Sequence, residues 1–206
     1  VSYTTGAAVC ISVAQPRAPS QSSCSEKRAQ HWHSMVVETQ GVDVVVMDTE
    51  MVICARKGRR MFVAAEVSLV DESGKVLLHT YAKPPMRVVS YNTRYSGVTP
   101  RHLRYAPPLR DVRSRIESIL AGKVLVGHAI ANDLRALNLW HPPEAIIDTQ
   151  KIPEIQMLFA NDTPGLKRVC RGLLRREIQD GAHSALEDAQ ATAAVFGLAR
   201  GFGWVV

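Results

Sequence analysis

GVDVVVMDTEMV, residues 41–52, passes from a valine-rich segment directly into two carboxylates. Residues 42–47 are almost continuously apolar, the pattern of a strand buried on both faces. Asp48 and Glu50 stand two apart at its end, so a strand turns both side chains to one face. A charge at the edge of an apolar strand is costly unless something compensates it. Two carboxylates on one face can share a cation, with Asp48 placed to bridge two. Taken alone, a DxE sequence is more often a strand end meeting solvent.

Outward from this stretch, residues 61–70 and 76–82 predict two more strands, with Asp71, Glu72, Ser73 and Gly74 as the hairpin turn between them. A polar stretch, SYNTRYSGVTPRHL, follows. Residues 107–120 predict a helix with Leu109, Val112, Ile116, Ile119 and Leu120 on one face. Residues 123–126 form a short strand ended by Gly127, residues 129–139 a helix, and residues 145–147 a brief strand. Thr163-Pro164 reads as an N-cap and first-turn proline for a helix carrying Leu166, Val169, Cys170, Leu173 and Leu174. A last helix runs from about Ser184 to Arg200. A three-strand antiparallel meander followed by alternating helix and parallel strand predicts an α/β fold, a mixed sheet flanked by helices. Its outline resembles the ribonuclease-H-like fold.

The 206 residues suffice for one well-buried domain. Residues 1–40, rich in Ser, Gln, Ala, Pro and charge, predict a poorly ordered extension, and residues 41–206 the folded domain. No apolar run reaches the ~18 residues a membrane helix needs, so no membrane partner is expected. The start has no basic n-region and no long apolar core, unlike a signal peptide; beginning at Val1, the chain reads as a fragment or a processed form. Cys10, Cys24, Cys54 and Cys170 form no CxxC pair, which points to a reducing, intracellular setting. His31 and His33 make an HxH pair, a weak metal signal. Lys+Arg 25 against Asp+Glu 19 gives +6, a balance that suits polyanions.

Three further residues carry chemistry. Asp133, in GHAIANDL, falls in the first turns of a helix, where the helix dipole stabilises a carboxylate. In HSALEDAQATAAVF, Ser184 and Glu187 fit a capping box. That places His183 just outside the last helix, on a hinge-like position, and Asp188 one turn inside it, rigidly held. Four converging acids with a histidine beside them suggest metal-assisted hydrolysis of a phosphodiester.

The segments DTEMV, GHAIANDL, IDTQK and HSALEDAQAT, with YSGVTPRHL, resemble the DEDDh 3′–5′ exonucleases over about residues 42–200. The likeness is greatest to the eukaryotic subgroup of RNA exonuclease four and the interferon-stimulated exonuclease. It implies that Asp48, Glu50, Asp133 and Asp188 bind two Mg²⁺ or Mn²⁺ ions, and that His183 takes the proton of the attacking water. It implies substrate contacts from Met51, from His128 and from the position of Asn92, where the subgroup carries an arginine and Arg94 stands nearby. Asp148, in IDTQK, matches a structural position. The implied activity is release of nucleoside 5′-monophosphates from single-stranded RNA, in RNA processing or decay, in the nucleus or nucleolus. Because Asn92 replaces the ribose-reading arginine, a DNA 3′–5′ exonuclease is the alternative; an inactive nucleic-acid-binding domain is a third. Two basic clusters remain. Arg56, Lys57, Arg59 and Arg60, in the loop after the acidic strand, could touch phosphates; Lys167, Arg168, Arg171, Arg175 and Arg176 read as a solvated helix face.

Overall fold

The computed structural model describes residues 43–160 and 162–205. The expectations for residues 1–40, for His31 and His33, and for Cys10 and Cys24 lie outside them. Strand β1 (Val44–Arg56) pairs antiparallel with β2 (Arg59–Asp71) through a two-residue turn. Lys57 and Gly58 hold that turn at φ 49° and 77°, which matches the twist of a tight hairpin. Strand β3 (Val76–Tyr81) completes the meander. The turn before it forms on Asp71, whose Oδ1 accepts from the Ser73 amide at 2.9 Å, the Ser73 hydroxyl at 2.6 Å and the Lys75 amide at 3.0 Å. Strands β5 (Val124–Gly127) and β6 (Ile146–Asp148) join in parallel, giving the order β3-β2-β1-β5-β6. Strand β4 (Arg87–Ser90) pairs with the far end of β1.

The first strand does not end at its acids, as the sequence suggested. It runs on to Arg56 because β2 stays paired with it throughout. Its other edge is shared. β5 covers Val44–Val46 and β4 covers Ile53–Ala55. Between them β1 has β2 alone beside it, and Asp48 and Glu50 fall in that gap. The Arg56–Arg60 cluster is therefore a hairpin tip, six residues past Glu50. At ~3.3 Å per residue that is about 20 Å away, too far to reach the reacting phosphate.

The polar stretch after β3 folds more than its composition indicated. Besides β4 it holds two single-turn helices, α1 (Thr93–Ser96) and α2 (Pro100–Leu103). Helix α3 (Leu109–Leu120) buries the five apolar residues named above. Helix α4 (Ala131–Leu137) follows β5 through a tight turn. Gly127 is needed there, since a Cβ would lie 2.5 Å from the Ile130 side chain. After β6 come α5 (Pro153–Leu158) and α6 (Leu166–Val169), the latter widening into a π-turn over Cys170–Leu174. Thr163-Pro164 does not cap α6. The N-cap is Gly165, and the Pro164 carbonyl turns back to accept from His128 Nε2 at 2.9 Å.

Helix α7 (Ala185–Gly201) is apolar on two sides and lies between two layers. Ala189, Ala193 and Phe196 pack on Val46, Val70 and Val126 of the sheet. Ala191, Val195 and Ala199 pack on Ile152, Ile155, Leu166 and Val169. Its alanines let both layers approach closely, and burial of Phe196 contributes roughly 1.5–3 kcal/mol. Cys54 and Cys170 are free and buried. No helix among the described residues is long and apolar enough to cross a membrane.

Candidate active site

Asp48 and Glu50 share the face of β1 on which Val46 meets α7. From α7 comes Asp188, and from the residue before its N-cap comes His183. Nδ1 of His183 lies 4.0 Å from Glu50 Oε1 and 3.7 Å from Asp188 Oδ2. One ligand atom from each of Glu50, His183 and Asp188 falls within 4.8 Å of the others. Asp133 arrives from α4 and is tied to β1. Its Oδ1 accepts from the Thr49 amide at 3.0 Å and the Thr49 hydroxyl at 2.7 Å. Thr49 stands between the first two acids, so one residue fixes the third relative to both.

Glu66 is a fifth acid in this corner. It sits directly across from Glu50 in the β1–β2 register and is 5% exposed. A bulge follows, since Met51 pairs with Ala64 and Ala65 is left over. Glu66 accepts from the Ala185 amide, and so caps α7 from the sheet. The capping box expected within the helix is absent: the Ser184 side chain makes no cap hydrogen bond. Glu187 instead accepts from the Gln179 amide at 3.1 Å.

Crowding shows in the electrostatics. Asp48 is pushed well above the carboxylate range by burial, then by Asp133, Asp188, Glu50 and Glu66. Glu50 rises to about 8 through burial, then Asp188, Glu66 and Asp133. Asp133 rises to about 7 through burial, against the pull of the Thr49 hydrogen bonds. Glu66 reaches about 7, again chiefly through burial. Asp188 is raised by burial and held back by Gln179 and His183. Such a group of acids is relieved by positive charge placed among them. One oxygen is already prepared. Asp188 Oδ2 accepts from Gln179 Nε2 at 2.8 Å, while Oδ1 is buried without a hydrogen-bond partner. Carboxylate oxygens with spare lone pairs suit a hard divalent cation, so the residues present fit a metal site.

His183 is half-exposed and held through its backbone. Its amide donates to the Tyr95 carbonyl at 2.6 Å. Gly97, at φ 65°, lies against the same segment; a Cβ there would stand 3.2 Å from the His183 carbonyl oxygen. The loop 92–97 thus braces the histidine.

The expected substrate-contact residues are spread out. Met51 is half-buried on β1 next to Glu50. Asn92 opens α1 at φ 52°, and Arg94 is exposed with its guanidinium 6.0 Å from the Tyr95 ring centre. His128 has both ring nitrogens engaged, with Thr149 Oγ1 at 2.9 Å and the Pro164 carbonyl at 2.9 Å. Burial lowers its pKa, so a neutral ring donates through Nε2 and only ring surface is left for a ligand. Asp148 braces the turn into α4. It accepts from the Ala129 amide at 2.8 Å and the Gln150 amide at 3.2 Å, holding Ala129 at φ 57°.

The basic helix is a solvated, self-paired face. Lys167 meets Asp180 at 3.1 Å, Arg168 meets Asp162 at 3.2 Å, and Arg171 grips Glu177 with bonds of 2.6 and 2.9 Å. Four supporting residues escaped the sequence reading: Thr49, Glu66, Gln179 and Tyr95. Glu66 carried a visible signal, a lone acid inside the apolar run MFVAAEVSLV.

Comparison with known proteins gives the family. Mouse interferon-stimulated 20 kDa exonuclease-like 2 is 42% identical over 160 residues, covering 75% of this chain and 43% of that protein. RNA exonuclease 4 of Aspergillus fumigatus is 39% identical over 148 residues, covering 72% and 48% respectively. The chain thus spans less than half the length of these relatives. The Neurospora crassa Pan2 catalytic unit, with protease and nuclease domains, superposes with a TM-score of 0.68 at 23% identity, covering 78% of this chain and 27% of that one. At that identity the likeness supports the mixed sheet and its helices. The exonuclease family model, RNase_T, matches residues 45–196. That span begins in β1 and ends in α7, taking in every acid of the cluster, and the chain belongs to this exonuclease family.

Proposed function

We propose that this chain is a metal-dependent 3′–5′ exoribonuclease that releases nucleoside 5′-monophosphates from single-stranded RNA. The observation that carries the proposal is the convergence of acids from β1, α4 and α7 on one buried corner, with His183 at its rim. The names of the relatives, which include RNA exonuclease 4, support RNA as the substrate. Work in RNA processing, in the nucleus or nucleolus, belongs to the same proposal.

Asp48, Glu50, Asp133 and Asp188 would hold two divalent cations, Mg²⁺ or Mn²⁺. Cations held there would acidify a water and take up charge on phosphate oxygens. The remaining work falls to the chain. Thr49 orients Asp133, and Gln179 fixes Asp188 with one oxygen left open. His183 accepts a proton from the attacking water and passes it to solvent, for which its half-exposed ring is suited. Met51 and Asn92 contact the terminal nucleotide. The Asn92 amide can hydrogen-bond a ribose 2′-hydroxyl but adds no charge.

Single-stranded RNA and DNA, labelled at either end, should be incubated with Mg²⁺, Mn²⁺ or EDTA. Stepwise shortening of RNA from the 3′ end, abolished by EDTA and by Asp188→Asn, is the expected result. A preference for DNA would replace the substrate. Binding without cleavage would reduce the chain to a nucleic-acid-binding domain. In addition, His183→Ala should cost about 10²–10⁴-fold in rate with Mg²⁺ binding nearly intact. A fully active variant would remove the histidine as the base.

A further inference from the structure

A second concavity, of about 1260 Å³, opens beside the acidic corner. Two of its lining residues are neighbours of the cluster in sequence. Met51 follows Glu50 on β1, and Asn132 precedes Asp133 on α4. It extends along the far half of the β1–β2 hairpin and is closed by the segment after β3 and by α3 and α4. Its volume, above the roughly 300–1,000 Å³ of a small-molecule pocket, leaves room for a longer chain.

The lining carries one sign of charge. It contains no Asp or Glu, and it presents Arg56, Lys83, Arg110, Arg113 and Arg135. Arg110 and Arg113 share their charge with Asp111 at 3.0 Å and Glu117 at 3.7 Å, outside the groove. Arg56, Lys83 and Arg135 are exposed and have no acidic partner among the described residues. In the same lining, Phe62 stands 58% exposed and Met61 40% exposed. An exposed aromatic and exposed cations share this lining. It is the pairing that holds a single strand, with bases stacked on the ring and phosphates on the cations.

We propose that this groove binds the upstream nucleotides of the single strand whose 3′ end occupies the acidic corner. The proposal rests on the exoribonuclease reading of that corner. The strand runs from Met51 past Phe62 toward Arg56, a span of about 17 Å along β1. Of the basic hairpin tip, Arg56 alone lines this path.

The test uses the whole chain and two oligouridylates, a dinucleotide and one of about twelve residues, within the site sizes usual for single strands. Cleavage of the dinucleotide reports the acidic corner. The ratio of the two KM values reports the groove. Wild type should favour the longer chain by roughly tenfold or more, and Phe62→Ala should erase most of that preference with the salt dependence kept. The triple variant Arg56→Gln, Lys83→Gln, Arg135→Gln should erase it too, and should lower the slope of log KM against log salt by about 2. Variants that keep the wild-type ratio and slope while cleaving the dinucleotide would overturn the groove and leave the corner standing. A wild type that cleaves neither length would overturn the reading of the corner and this proposal with it. Polyglutamate that displaces the longer RNA at equal charge would mark a surface for acidic protein and overturn the proposal.

Discussion

Replacing Glu50 with glutamine should stabilise the metal-free protein at alkaline pH and weaken it once divalent cations are bound. Glu50 is 8% exposed, and burial with three neighbouring acids lifts its pKa from 4.5 to about 8. The native state therefore keeps this proton over a pH interval in which the unfolded chain has released it. Below pH 4.5 both states are protonated and Glu50 costs nothing. As pH rises from 4.5 to 8 the native state loses relative stability, and above 8 the loss is complete. At 1.36 kcal/mol for each tenfold change, the full loss is about 5 kcal/mol. Neighbouring carboxyls redistribute their protons, so glutamine should recover on the order of 3–5 kcal/mol near pH 9 and almost nothing near pH 4. Saturating Mg²⁺ should reverse the sign, because the ionised carboxylate becomes a ligand that glutamine cannot replace. Urea unfolding at acid, neutral and alkaline pH, in EDTA and in Mg²⁺, measures all of this. A uniform destabilisation by Glu50→Gln across pH in EDTA would refute the repulsion. An alkaline gain that persists undiminished in Mg²⁺ would refute a shared cation.

Two other substitutions probe the braces. Thr49→Val keeps the backbone donor to Asp133 and removes the hydroxyl at 2.7 Å; Mg²⁺ affinity or turnover should fall about 10–100-fold with the fold retained, as calorimetry and steady-state kinetics would show, and unaltered affinity and turnover would make the bond incidental. Gly97→Ala forces a residue at φ 65° and sets a Cβ 3.2 Å from the His183 carbonyl oxygen; stability should drop by about 1–2 kcal/mol and kcat should fall more than KM rises, whereas a stability loss with kcat intact would show that this loop does not position the histidine.

The acids that define the site were legible because each interrupts apolar sequence, where a charge is costly without a reason. The same logic applied to Glu66, yet the run MFVAAEVSLV reads so strongly as strand that its one acid went unused. Strand β4 and the two single-turn helices were hidden for a different cause. Their sequence is polar and aperiodic, and β4 exists because β1 offers an unpaired edge beyond β5, a tertiary fact. The capping box failed for a similar reason. Ser184 and Glu187 have the right spacing, but a carboxylate from β2 reaches the Ala185 amide first. Local motifs assume that the nearest partner is the one in sequence, and a crowded site supplies others.

Much of the support for the chemistry comes from main-chain atoms. The Thr49 amide holds Asp133, the Ala185 amide is held by Glu66, and the Tyr95 carbonyl holds His183. Such groups carry no side-chain signature, and substitution at their own positions leaves them in place. The loop 92–97 shows the consequence most directly. It begins at Asn92, the residue proposed to meet the ribose, and three residues later the Tyr95 carbonyl grips the amide of the proposed base. The segment is short, and Gly97 closes it against the His183 carbonyl. A change in how Asn92 meets a nucleotide is therefore passed to the backbone that carries His183. Sugar discrimination in this protein should accordingly appear in kcat as well as in KM, because the residue proposed to read the sugar and the residue proposed to take the proton share one brace.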